Sequence, residues 1–497
     1  MPSHLNYGEW TQNLLSSTGV ETEREGQPPP GWIENLESPQ WARQEMAAAA
    51  FGDQRLTRRS ITLLEDFLAH PMSNLPQACG GNVNKTKAAY EFFDNFSVDF
   101  QEMLCSHRQA TVARLQGQAL ILAVQDTTTL DHSTHRATEG TGPVGSHREQ
   151  TRGLLLHSTL TFTLEGVPLG FLDAQVWVRA PEEFGKKHTR KQRPIEDKES
   201  YKWLQSFQAC QQVQAQLPDT RIINVGDREA DIYELMALAR SEAGNPHLLI
   251  RVTQDRRVAD AEAGHLWQRM QRQPVAASFQ AQVPRKGPQP PRTASLEVRF
   301  APVELKAPAR LSRSLPSLSL GAVWAEEVAA PAGVEPISWM LLTTWPVETT
   351  EQAREVLRWY GLRFQIELFH KVLKSGCRAE QRQLKTEERL ERCLFFDLVV
   401  AWRILLLTKL GRQVPALPAS AVFEPEEWQA LYCFTYQTTQ LPAQELSLPQ
   451  AIRLVAKLGG FLGRKRDKDP GPTTIWRGLV RLHDITAAYK LFRPRPP

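Results

Sequence analysis

A chain of 497 residues is too long for one ordinary core, and about three domains is the expectation for that length. Hydrophobic residues make up 41% and charged residues 23%, the balance of a soluble globular protein, and no apolar stretch is long enough to span a bilayer. The formal charge of +4 points weakly to an anionic partner.

The opening "MPSHLNYGEW" lacks the basic flank and apolar run of a signal peptide, so a cytoplasmic or nucleoid-associated protein is expected. Residues 1–37 are polar, carry "GQPPPGW" and read as an extension or flexible arm. From Pro39 to about His70 a helical period runs, broken at Gly52-Asp53 into two helices. "KTKAAYEFFDNF" and "SVDFQEMLCSHRQATVARL" read as two more, the second capped by Ser97. A helical domain over 38–115 follows.

The period then changes. "ALILAV" (119–124) suits a buried strand, "HSTLTFTL" (157–164) alternates, and "PLGFLDAQVWV" (168–178) follows a turn. A helix over about 197–215, the strand "RIINV", a helix over 229–240 and the strand "HLLIRVT" (247–253) come next. The order β-β-β-α-β-α-β belongs to few folds, the ribonuclease-H-like fold the best known. The expected fold class is therefore α/β, a ribonuclease-H-like mixed-sheet core over 116–411. "SFQAQV", "ASLEVRF", "LGAVWAEEV" and "SWMLLTTW" make a mostly-β insertion at about 254–345. The helical period returns near Thr350, and residues 412–497 form a mixed helical C-terminal region.

Six scattered cysteines without a CxxC pair read as reduced structural thiols. The histidines of 132–157 are irregularly spaced and lack cysteine neighbours, a poor pattern for zinc. Basic clusters at 186–193, 255–257, 285–292 and 463–468 can follow a phosphate backbone; each alone reads equally well as a solvated loop.

Asp126 follows "ALILAV" and Asp227 follows "RIINV", each at the end of a buried strand. In the expected order those strands are neighbours, so the two carboxylates converge. Adjacent acids repel unless a cation or proton lies between them. Magnesium, a hard ion that takes oxygen ligands, suits the place. A third carboxylate is available on the predicted helix "WYGLRFQIELFHKVLK" (359–374). There Tyr360, Arg363, Glu367, Lys371 and Lys374 are spaced by 3, 4, 4 and 3, which puts them on one stripe beside an apolar one. Taken singly, Asp227 reads equally as a helix N-cap and Asp126 as a turn residue, and the stripe reads better as a solvated face. Asp231 and Glu234 read as helix positions facing solvent or capping. Only the joint occurrence favours a metal site.

These motifs resemble the DDE transposases of the IS4 group, most closely the Tn5 type. "DREADIY" resembles the segment around that branch's second Asp. Tyr360, Arg363, Glu367 and Lys374 match its helix signature. "QDTTTLD", "SWMLLTTWPVE", "WARQEMAAAAFGDQRLTRR" and "KLGGFLGRKR" are similar to further stretches, so the likeness runs from about Gln40 to the C-terminus. The resemblance implies a cut-and-paste DNA transposase with Asp126, Asp227 and Glu367 as catalytic metal ligands for two Mg2+ ions, which Mn2+ can replace. It implies DNA contacts at Arg59, Arg251, Trp339, Tyr360, Arg363 and Lys374, with Trp339 stacking on a flipped base; the stripe itself places Lys371 beside Arg363 and Lys374 as a further cation for phosphates. An indole on an amphipathic strand is otherwise a core residue. It also implies a hairpin intermediate, terminal repeats and target DNA as double-stranded partners, an end-recognition domain at 38–115 and a homodimer built through 412–497. Residues 1–37 have no counterpart, and Leu154 and Leu155 stand where the family has aromatics. The alternatives are a hydrolytic nuclease of the same fold and a catalytically inactive DNA-binding repressor.

Overall fold

The computed structural model describes residues 40–145, 150–183, 193–260, 262–283, 290–414, 416–464, 467 and 469–492. The extension 1–37, most of the basic clusters 186–193 and 285–292, and part of 463–468 lie outside the described residues. Five helices come first: α1 (Trp41–Met46), α2 (Gln54–Ala69), α3 (Leu75–Ala78), α4 (Val83–Asp94) and α5 (Phe100–Leu115). Strands β1 (Leu120–Asp131), β2 (Gly142–Pro143), β3 (Arg152–Phe162) and β4 (Pro168–Trp177) follow. Then come α6 (Tyr201–Gln216), β5 (Arg221–Gly226), α7 (Tyr233–Arg240), β6 (His247–Arg251) and α8 (Leu266–Gln271). Four more strands are β7 (Ala277–Val283), β8 (Arg292–Leu305), β9 (Leu318–Val328) and β10 (Ser338–Thr343). The chain ends in α9 (Thr350–Leu362), α10 (Gln365–Lys371), α11 (Glu387–Gln413), α12 (Pro425–Tyr436), α13 (Leu448–Leu458) and α14 (Pro472–Phe492).

Two compact units share these elements. The first holds Ala119–Asp126 and the described part of Lys187–Glu367. There β1 pairs parallel with β5, and β5 parallel with β6. Antiparallel β10 lies beside β6 and carries β9, β8 and β7 outward in turn. The β insertion thus extends the core sheet. Parallel strands need crossovers, and α6 and α7 make them. Those helices lay Trp203, Phe207, Leu235 and Met236 against Leu248, Ile250, Ala322, Met340 and Leu342 of the sheet.

The second unit holds the described parts of Gln27–Gln118, Thr127–Lys186 and Leu368–Pro497. In it β3 pairs antiparallel with β4 and β2. The Thr127–Asp131 half of β1 lies beside β3, so closely that a Cβ on Gly153 would stand 1.8 Å from the Leu130 carbonyl oxygen. Read through β1, the strand order is β4-β3-β1-β5-β6. That is the ribonuclease-H-like order, with helical N- and C-terminal regions. Phe67, Phe92 and Phe93 of the early helices pack edge-on or tilted on Phe396 of α11. All six cysteines are free thiols. No described helix is long and apolar enough to cross a membrane.

Four local expectations need correction. Asp99, not Ser97, caps α5, its carboxylate accepting from the Gln101 and Glu102 N–H groups. β1 runs on past Asp126 to Asp131; its continuous buried run stops at Gln125, and Leu130 is buried again. The helix expected over 359–374 is broken: α9 ends at Leu362, α10 begins at Gln365, and Val372–Gly376 is a π-helical turn. Asp231 does not face solvent. It is buried, ion-paired to Arg256 at 2.5 Å, and accepts from the Thr253 and Gln254 N–H groups at 2.9 Å.

Asp231→Ala strands the Arg256 charge in the interior and is expected to cost about 3–5 kcal/mol in urea unfolding. Glu229→Ala, two residues earlier in the same acidic run, removes a side chain that is 64% exposed. It is expected to cost less than about 0.5 kcal/mol. Equal losses would mean that Asp231 is not the buried anchor described.

Candidate active site

The paired register places the two aspartates. Val124 lies opposite Val225, so the residues two further on, Asp126 and Asp227, fall opposite each other on neighbouring parallel strands. Strands of a sheet lie about 4.8 Å apart, and residues two apart share a face. Asp227 keeps an extended backbone, so its side chain continues that alternation. Just before the pair, the Gln125 side-chain amide donates to Asn224 Oδ1 at 2.9 Å, both residues fully buried. This polar clasp ties the two strands together at the base of the site. Gly226 lets the chain turn behind Asp227. A Cβ there would meet Ala230 Cβ at 2.4 Å and Trp203 at 3.1 Å.

Asp227 is also a cap. Its Oδ1 accepts from the Glu229 N–H at 2.7 Å, at the start of a short 3-10 turn. The capping reading and the acidic-site reading are therefore compatible, since one carboxylate has several lone pairs.

Glu367 comes from α10, and Arg363 from the break before it. The Arg363 Nη2 donates to Glu367 Oε1 at 3.0 Å. The arginine side chain is 9% exposed and the glutamate 33%, so the guanidinium lies deeper. Burial alone would lower the Arg363 pKa. The Tyr360 oxygen and the carboxylates of Asp126, Glu367 and Asp227 outweigh burial and raise it above an ordinary arginine's. Burial pushes the Tyr360 phenol up, against the pull of Arg363 and Arg251, so that hydroxyl is neutral at neutral pH. The three carboxylates are then the charges that hold the guanidinium.

Aromatic groups surround it. Arg363 lies 4.5 Å from the Phe364 ring centroid and 5.9 Å from that of Tyr360. Trp339 meets Tyr360 edge-on at 5.1 Å. Its indole is only 4% exposed, so a base can stack on it only after these rings part. Arg251 donates to the Ser338 carbonyl at 2.7 Å, and burial pulls its pKa down. Six of the residues singled out in the sequence thus share one unit around Arg363: Asp126, Asp227, Glu367, Tyr360, Trp339 and Arg251.

Arg59, Lys371 and Lys374 belong to the other unit. Arg59 is half-buried on α2, Lys371 is exposed, and Lys374 lies 3.4 Å from Glu380. Sequence reasoning missed Gln125, Asn224 and Phe364. The first two left a signal: a single amide inside each apolar run that precedes an aspartate.

Among the described residues, no group of three or more His, Cys, Asp or Glu side chains is gathered closely enough to hold a metal ion. The donor chemistry nevertheless suits magnesium, since carboxylate oxygens are its preferred ligands. The guanidinium stands in for a cation among them.

Residues 38–98 match the family model described as transposase DNA-binding, and residues 399–491 match that of the transposase Tn5 dimerisation domain. Segments near both ends thus resemble domains of transposases. The two matches support a DNA transposase with DNA as its partner. A solved structure, the cryo-EM piggyBac transposase synaptic complex with hairpin DNA, aligns over 94% of this chain and 82% of its own. At 8% identity and a TM-score of 0.35, that likeness is too loose to carry mechanism.

Asn caps as well as Asp, so Asp227→Asn is expected to leave stability within about 0.5 kcal/mol of wild type, and Asp227→Ala to lose about 1 kcal/mol. Thermal unfolding of both variants checks this. A large loss in the Asn variant would mean that its negative charge holds the fold.

Proposed function

We propose that this protein is a cut-and-paste DNA transposase of the DDE type, akin to the Tn5 branch of the IS4 group. It binds the terminal repeats of its element, cleaves them and joins their 3′ ends to target DNA. The observation that carries this reading is the parallel register of β1 and β5, which runs to Val124 and Val225 and, continued two residues, sets Asp126 level with Asp227, with Glu367 bonded to Arg363.

Asp126, Asp227 and Glu367 would hold magnesium. Bound there, the metal supplies positive charge to the attacking and leaving oxygens of an in-line phosphoryl transfer. The chain's own residues do the positioning. Arg363 and Arg251 supply cations for backbone phosphates, and Tyr360 a neutral hydroxyl donor. Trp339 offers the aromatic face on which a flipped base stacks when the transposon end closes into a hairpin. Arg59 lies in the segment that matches the DNA-binding family, as expected of an end-recognition contact.

The dimer would form through the C-terminal region. Phe434 of α12 and Tyr489 and Phe492 of α14 line one open groove, and Phe492 is 83% exposed. Exposed aromatic clusters of this kind mark association surfaces. A second copy of the chain is the occupant we assign.

With DNA from the flanks of the coding region, Glu367→Gln is expected to retain end binding and lose Mg2+-dependent cleavage by at least about 10^3-fold. Near-normal cutting by that variant would remove Glu367 from the chemistry. Phe434→Asp combined with Phe492→Asp is expected to weaken pairing of end-bound subunits by about tenfold or more, read by light scattering. An unchanged mass would move the interface elsewhere.

A further inference from the structure

The break in the catalytic helix and the place of Arg363 belong together. Arg363 and Phe364 lie between α9 and α10. The backbone there closes tightly: the Arg363 N–H donates to the Tyr360 carbonyl and the Ile366 N–H to the Arg363 carbonyl, both at 3.1 Å. These bonds span three residues instead of four, the pattern that marks a hinge inside a helix. The residue at that hinge is the one whose guanidinium bonds Glu367 and lies against an aromatic ring.

We propose that Arg363 is a built-in counter-ion that blocks divalent metal from Asp126, Asp227 and Glu367 until DNA draws the guanidinium onto a phosphate. The inference rests on the three acids being the metal ligands. Its physical basis is competition. One guanidinium offsets part of the repulsion among three carboxylates, and a metal ion entering the same place must displace it. A phosphate offers the guanidinium an alternative partner with matching fork geometry. Metal and DNA then bind with positive coupling, and coupling is reciprocal. Arg363 acts here as a positioning residue with a second duty. It keeps the acids in place and uncharged by metal while no DNA is present.

Titration of the full chain with Mn2+, read by the loss of the free-ion electron paramagnetic resonance signal, tests this without any turnover. In the absence of DNA, Arg363→Gln is expected to bind Mn2+ at least about tenfold more tightly than wild type, or about 1.4 kcal/mol. Arg363→Lys keeps the charge and is expected to stay near wild type. Flank DNA is expected to tighten Mn2+ binding by wild type and to add little in Arg363→Gln. Equal or weaker binding by Arg363→Gln overturns the proposal, as does equal tightening in the Lys and Gln variants, which would assign the effect to bulk. Glu367→Gln separates the two readings. If it abolishes Mn2+ binding while Arg363→Gln does not strengthen it, the acids are the metal site and only the counter-ion role fails. If Glu367→Gln leaves tight binding untouched, both fail.

Discussion

Two aspartates opposite each other on neighbouring strands of one sheet repel unless a cation or a shared proton lies beside them. That constraint governs the first unit. It fixes Asp126 against Asp227 through the register of β1 and β5, and it brings Arg363 of the broken helix to them, with Glu367 attached. The aromatic residues around the guanidinium exclude water from it, which strengthens every charge interaction inside. The sheet beneath contributes rigidity: the buried clasp of Gln125 on Asn224 leaves the two strands no freedom to slip. A one-residue slip of either strand would send its aspartate to the other face, away from its neighbour.

The same sheet explains why the β insertion matters to the site. β10 pairs with β6 on one side and β9 on the other. Trp339 stands on β10 and Arg251 ends β6, so the insertion delivers an indole next to a core cation. In the other unit, the segments that match the DNA-binding and dimerisation families touch, with His70 of the first edge-on against His483 of the second at 4.7 Å. The two matched segments are thus packed against each other within one unit.

Much of this was legible in the sequence because it is local. Apolar runs ending in Asp gave the strands, and alternation gave β3, β4 and the insertion. What the sequence hid is non-local or depends on one turn. Asp231 looks like a helix acid, but its partners lie 22 to 25 residues later, after a strand. Ser97 and Asp99 are both good caps, and only the geometry chooses, with the Ser97 N–H taken by Asn95. No proline marks the break at Arg363, where the Arg363 N–H bonds the carbonyl three residues back. Lys374 seemed to continue the catalytic stripe, but the π-helical turn changes its phase and Glu380 engages it.

The account turns on where metal and Arg363 stand once DNA is bound. Anomalous scattering from Mn2+ in crystals of the full chain with its flank DNA reads both positions at once. Metal density is expected between Asp126 and Asp227, with Glu367 completing the shell and the Arg363 guanidinium on a DNA phosphate. Metal bound elsewhere, with Arg363 still bonded to Glu367, would contradict it.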